Sequence, residues 1–210
     1  MKKEKKVEYI EIKSILLGEH GVGKTNLINA AIGQNFQENT KATITCNYIS
    51  KKYNINGTNY IMKIWDTAGL EKYRSLTKLF YKNSNIVIFV YDITRQKTFD
   101  ELEFWTNELQ KSIDNFYVKA IVGNKTDLFE NEQVDEAVAK DYAKNKRSSF
   151  KLVSAKENPK DFCKFLEELL ITYNKKISKE KKIKKIKLNM IIRVIQIVKV
   201  VVNKLCYIYK

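Results

Sequence analysis

Gly18-Glu19-His20-Gly21-Val22-Gly23-Lys24-Thr25 reproduces the spacing Gly, four residues, Gly-Lys-Ser/Thr of a loop that wraps phosphate groups. The stretch before it, Ile10–Leu17, is apolar with interspersed charge and reads as a strand. The stretch after it, 26–32, has helical spacing and no Pro. Strand, glycine loop and helix therefore come in the order the chemistry needs. The glycines let successive backbone N–H groups turn inward around phosphate oxygens, and the helix N-terminus adds a partial positive charge. Lys24 can bridge phosphates and Thr25 offers a hydroxyl to Mg²⁺. Gly18, Gly21, Val22, Gly23, Lys24, Thr25 and Asn26 are the candidate contacts, and a nucleoside triphosphate is the implied ligand.

Asn124-Lys125-Thr126-Asp127 follows directly on an apolar run at 118–123, and Ser154-Ala155-Lys156 follows a second run at 150–153. Both segments then lie at the C-terminal ends of strands, where open α/β sheets hold their ligands. The Asp127 carboxylate can accept two hydrogen bonds from the N1–H and N2 amino group of guanine, whereas adenine presents no such donor pair. GTP and GDP are favoured over ATP, with Asn124, Lys125, Asp127, Ser154, Ala155 and Lys156 as further nucleotide contacts.

Other motifs follow in order: Lys63-Ile64-Trp65-Asp66-Thr67-Ala68-Gly69, Tyr73-Arg74-Ser75-Leu76-Thr77, Phe80-Tyr81-Lys82, Tyr91-Asp92-Ile93-Thr94, and Phe99-Asp100-Glu101-Leu102 with Trp105 beyond. Together with the phosphate and base segments, they make the chain resemble the Ras superfamily of small GTPases, and in detail its Rab branch, over residues 8–173. The resemblance implies an α/β fold, the small G-domain of the P-loop NTPases. That fold is a mostly parallel six-stranded sheet with one antiparallel edge strand and helices on both faces. It also implies that Phe36 stacks beside the guanine, Thr43 meets Mg²⁺ and the γ-phosphate, Asp66 holds Mg²⁺ through water, and Gly69 gives its amide to the γ-phosphate. Loops that reach a phosphate present only in GTP order with GTP and relax after hydrolysis, so the output is a shape. Such a switch works as a monomer with an exchange factor, an activating protein and effectors. It serves vesicle or membrane trafficking on the cytoplasmic face of endomembranes and is partly cytosolic.

Three positions depart from that pattern. Leu70 stands where most members carry Gln after Asp-x-x-Gly, and its side chain cannot orient an attacking water. Hydrolysis slower than the family's intrinsic rate of about 10⁻⁴ s⁻¹ is expected, and a nearly inactive module held in the GTP form is the extreme case. No catalytic residue is assigned, although a partner that brings its own Arg and Gln would restore turnover. His20, the single His of the chain, occupies a position where relatives carry Gly or Ser. Its ring either obstructs an incoming finger residue or points to solvent. Ala42-Thr43-Ile44-Thr45-Cys46-Asn47-Tyr48 differs from the family's effector-facing segment, so partner identity does not carry over.

The 210 residues are 44% hydrophobic, which suits one globular domain. Strand-like runs alternate with helix-like runs at 97–112, 134–145 and 160–173, the pattern of an α/β sheet. Asn56-Gly57, between runs at 48–55 and 60–65, is a hairpin signal. The expected organisation is a basic disordered arm over 1–7, the GTPase domain over 8–174, a basic linker over 175–187 and an amphipathic basic apolar tail over 188–210. Cys46, Cys163 and Cys206 are odd in number and share no metal-like spacing, which supports neither a disulfide framework nor a zinc site. Met1-Lys2-Lys3-Glu4-Lys5-Lys6 lacks an apolar core and a second-position glycine, so neither a secretory signal nor N-acylation is expected.

The charge is spread unevenly. Residues 175–210 hold twelve Lys or Arg against Glu180 alone, a net +11 of the chain's +15. Each Lys near an anionic leaflet contributes about 1 kcal/mol. Within 188–210, Asn189, Arg193, Gln196, Lys199, Asn203 and Lys204 share one arc of a helix otherwise rich in Ile and Val. A helix lying in the membrane interface is expected rather than a spanning one, because Arg193 and Lys199 would each cost about 2.5–3.5 kcal/mol to insert. Rab chains usually end in prenylated Cys. This one ends Cys206-Tyr207-Ile208-Tyr209-Lys210, so the helix is expected to replace the lipid, with Cys206 a candidate palmitoylation site. Lys clusters also bind nucleic-acid backbones, but stacking aromatics are missing from the basic stretch, so nucleic-acid association is the disfavoured alternative.

Overall fold

The computed structural model describes residues 7–38, 47–67, 81–112 and 117–208. The arm over 1–6, Thr43, Cys46, Gly69 and Leu70 lie outside that set. Among the described residues six strands form one sheet: β1 (Ile10–Leu17), β2 (Asn47–Ile55), β3 (Thr58–Asp66), β4 (Ile86–Asp92), β5 (Val118–Asn124) and β6 (Ser149–Leu152). Their order is β2-β3-β1-β4-β5-β6, with β2 antiparallel to β3 and the other pairs parallel. The expected mostly parallel sheet with one antiparallel edge strand is the observed one.

Burial explains which segments became strands. All seven residues of β4 are buried, and its unbroken run Ile86-Val87-Ile88-Phe89-Val90-Tyr91 is the pattern of a parallel strand covered on both faces. A run without alternation has no period to read, and such a strand is recognised only by its apolar length. By contrast, β3 alternates buried Tyr60, Met62, Ile64 and Asp66 with half-buried neighbours. The β2–β3 hairpin turns at Asn56 and Gly57, with φ of 51° and 78°. Positive φ at both positions is the turn geometry whose twist matches the flanking strands, and Asn-Gly is its preferred sequence.

Helices cover both faces. On one, α1 (Lys24–Ala31) buries Leu27, Ile28, Ala30 and Ala31. The first turns of α5 (Pro159–Ile208) pack beside it, with the Cys163 thiol 3.4 Å from the Ala30 carbonyl. On the other, α2 (Gln96–Asp100), α3 (Leu102–Ser112) and α4 (Glu136–Asn145) set Phe99, Leu102, Trp105, Leu109, Ala139 and Ala143 against Ile15, Leu17, Val87, Phe89 and Ile121. The helix expected over 97–112 is two segments meeting at Glu101, whose backbone stays helical. The one expected over 134–145 starts later, because Asp135 caps it. The Asp135 carboxylate accepts the amides of Ala137 and Val138 at 2.7 and 3.0 Å.

The chain divides into two compact units, Met1–Tyr173 and Asn174–Lys210. Among the residues whose burial is described Tyr173 is the last buried one, yet α5 does not end there as expected, because 160–208 contain neither Pro nor Gly to stop it. The stretch 175–187, expected as a linker, is therefore helical. All eight of its lysines are exposed, as are Ile183, Ile186, Leu188, Met190 and Ile191. Among the described residues no helix is long and apolar enough to cross a membrane.

Candidate nucleotide site

β1 ends in the glycine loop, beside the C-terminal ends of β3 and β4. Gly18 and Gly23 have φ of 146° and 94°, and a Cβ on either would collide, with the Val90 carbonyl and the Asn124 amide respectively. Only glycine fits such a turn without strain. Within it, Lys24 folds back so that its Nζ donates to the carbonyls of Gly18 and Glu19 at 2.8 and 2.9 Å. Val22 is buried, so the loop is anchored in the core while its backbone faces the cleft.

Thr25 opens α1 with its hydroxyl donating to Asp66 Oδ2 at 2.8 Å. The Thr67 hydroxyl ties the end of β3 to the Leu16 carbonyl at 2.5 Å. A hydroxyl next to a carboxylate oxygen is a hard donor pair of the kind that would hold Mg²⁺ together with substrate phosphate and water. Among the described residues no three His, Cys, Asp or Glu cluster into a protein-only metal site, so Thr25 and Asp66 fit Mg²⁺ only together with a phosphate ligand. An Mg²⁺ held by Thr25 and Asp66 would supply positive charge to offset that of the phosphates.

The base end is built at the tips of β5 and β6. Asp127 Oδ1 accepts the Ser154 hydroxyl at 2.6 Å, and Ser154 Oγ in turn accepts the amides of Lys156 and Glu157 at 3.2 and 3.0 Å. Asn124, 2% exposed, donates its Nδ2 to the Val22 carbonyl at 2.9 Å and accepts the Ala155 amide at 3.2 Å. Its side chain therefore braces the phosphate loop against the base loops. Lys125 takes the left-handed conformation, φ 71°, which is uncommon for a residue with a Cβ. Asn26 spends its amide on the backbone of Gln37, at 2.9 and 3.3 Å. That fixes the neighbouring Phe36, with the Lys156 ammonium 5.9 Å from its ring centre.

Gly21, Gly23, Asn26, Phe36, Asn124, Lys125, Asp127, Ala155 and Lys156 line one cavity of about 380 Å³. A larger groove of about 800 Å³ shares Phe36, Ala155 and Lys156 but runs along the end of α1, β2 and the start of α5. It includes neither the glycine loop nor Asp127, so the smaller cavity is the candidate site. Two residues without an assigned role, Asp92 and Arg95, contact residues of this cleft, Asp92 through Lys125 and Arg95 through the His20 carbonyl. Asp92 stands in the Tyr91–Thr94 motif, and Arg95 follows it directly.

Burial lowers the Lys24 ammonium to about 8 from the ordinary 10.5, against the opposing pull of Asp66 and Glu19. In the nucleotide-free protein the charge is lost as pH rises through about 8. A phosphate beside the group favours the charged form and raises its pKa. The bound state thus holds more protons above the free-state value, so affinity falls as pH rises toward 10.5 and binding takes up protons. Calorimetry at about pH 9 in buffers of different ionisation enthalpy should record proton uptake on GDP binding, and none in Lys24→Met. A wild-type signal independent of buffer would refute the coupling.

The sheet order, the glycine loop at the end of β1 and the carboxylate at the end of β5 define a nucleotide-binding protein of the P-loop class. The Ras family model matches residues 13–194. Ras-related protein RabJ of Dictyostelium discoideum is 38% identical over 158 residues, 75% of this chain and 62% of that protein. Ras-related protein Rab-21 of Homo sapiens is 36% identical over 165 residues, 79% of this chain and 71% of that protein. Ras-related protein Rab-22A of Homo sapiens is 38% identical over 146 residues, 70% and 75% of the two chains. The chain belongs to the Ras family, in its Rab-like branch.

Proposed function

We propose that this chain is a Rab-type guanine-nucleotide switch that binds GTP and GDP with Mg²⁺, hydrolyses GTP slowly and recruits effectors in membrane trafficking. The observation that carries the reading is the pair of hydrogen bonds by which Asn124 donates to the Val22 carbonyl and accepts from the Ala155 amide. They make one cleft of a phosphate loop and a base pocket ending in the Asp127 carboxylate. Gly18, Gly21, Gly23 and Lys24 take the phosphates, and Asp127, Lys125, Phe36 and the Ser154–Lys156 segment take the guanine. Thr25, Asp66 and Thr43 serve Mg²⁺, with Gly69 at the γ-phosphate. Leu70 supports the slow turnover. The exposed lysines and isoleucines of 175–198 support adhesion to an anionic cytoplasmic membrane surface, the lysines drawing the helix in and the apolar side chains entering the interface.

Full-length chain purified without added nucleotide and floated with vesicles tests both halves. Stoichiometric guanine nucleotide and flotation with anionic but not neutral vesicles, weakened by salt, are expected. Adenine nucleotide, or none, refutes the switch. Flotation with neither vesicle refutes the membrane attachment.

A further inference from the structure

The two halves of the cleft are joined a second time, through Asp92 and Arg95, to which nucleotide contact assigns nothing. Asp92 closes β4 with its side chain 1% exposed, and one of its oxygens holds two cations, Lys125 Nζ at 2.6 Å and Arg95 Nε at 3.0 Å. The other oxygen accepts the amide and hydroxyl of Thr94 at 3.0 and 2.7 Å. Burial pushes the Asp92 carboxyl up, but the hydrogen bonds from Lys125 and Thr94 outweigh it and keep the group below its ordinary range. Arg95 is thus anchored on a charged, buried carboxylate.

From that anchor the guanidinium reaches the phosphate loop. Its Nη2 donates to the His20 carbonyl at 3.0 Å and lies 3.5 Å from the place of a Cβ on Gly21. The carbonyls of Gly18 and Glu19 go to Lys24, that of His20 to Arg95 and that of Val22 to Asn124. Those four carbonyls are thus engaged by side chains, and successive amides of a turn so held are what an anion nest uses. A planar guanidinium with separate donors can hold Asp92 and His20 at once, whereas a single ammonium on a flexible stem is poorly shaped for both.

We propose that Arg95 is a positioning residue for nucleotide retention: its guanidinium clamps the His20–Gly21 turn of the phosphate loop to the Asp92–Lys125 pair behind the base loop. The inference rests on the guanine-nucleotide reading of the cleft. Release of fluorescent GDP from the full-length chain tests it, with the ³¹P resonances of bound GDP as a second readout. Arg95→Ala should release GDP about tenfold faster, the loss of one charge-assisted hydrogen bond. Arg95→Lys should recover only part of that, and the β-phosphate resonance should move in both variants. Unchanged release in Arg95→Ala, or full recovery with an unmoved resonance in Arg95→Lys, overturns the role of the guanidinium. A wild-type chain that retains no GDP overturns the nucleotide reading itself.

Discussion

Asp127→Asn is expected to lower the affinity for GDP by about 10³-fold and to turn the cleft toward xanthosine diphosphate. An ionised carboxylate only accepts, so it matches two donors on the guanine edge, while an amide sets its own N–H₂ against one of them. Hydrogen bonds to charged groups contribute about 1.5–3 kcal/mol each, and two such bonds are weakened or lost. Xanthine carries a carbonyl where guanine carries the amino group, so the Asn amide can donate to it and still accept from N1–H. The scaffold should tolerate the change. The Ser154 hydroxyl, now 2.6 Å from Asp127 Oδ1, can donate equally well to an amide oxygen. Competitive titration with the two nucleotides is the check, and an unchanged GDP affinity would mean that Asp127 does not read the base.

Leu70→Gln is expected to raise single-turnover GTP hydrolysis by about ten- to a hundredfold, because it restores a side chain able to hold the attacking water. Leucine offers that water neither donor nor acceptor, and Lys24 and the glycine loop stabilise phosphate charge without placing a nucleophile. In chain isolated without added nucleotide, the bound guanine nucleotide should shift from mostly GTP in the wild type to mostly GDP in the variant. An equal rate in both proteins would remove Leu70 as the cause of slow turnover. GDP already dominant in the wild type would mean that another group positions the water.

Much of the fold was legible because its signals are local. The Asn56-Gly57 turn, the glycine loop and the alternation of β3 each require nothing beyond neighbouring residues. The central strand β4 was not legible by period, since burial on both faces erases the alternation that periodicity detects. Helix α5 was read too short at Tyr173, the point where burial ends, although the backbone has no reason to stop there. Within the site, residue types and order were readable, but their partners were not. Asn124 was read as a nucleotide contact, and the structure gives its side chain two loops to brace. Asn26 likewise holds the Phe36 segment through Gln37.

The amino-acid sequence by itself determined the family, the place of the glycine loop before α1, the residue types at 124–127 and a Leu rather than a Gln at position 70. These depend on side-chain chemistry and short spacing, which the chain carries locally. Only the tertiary structure decided that Lys24 is buried enough for its ammonium pKa to fall to about 8. The same holds for the bond from Asn124 to Val22, 102 residues away, and for the Arg95 link between the loops at Asp92 and His20. Those properties come from long-range approach and desolvation, and they exist only once the parallel sheet has brought the ends of β1, β4 and β5 side by side.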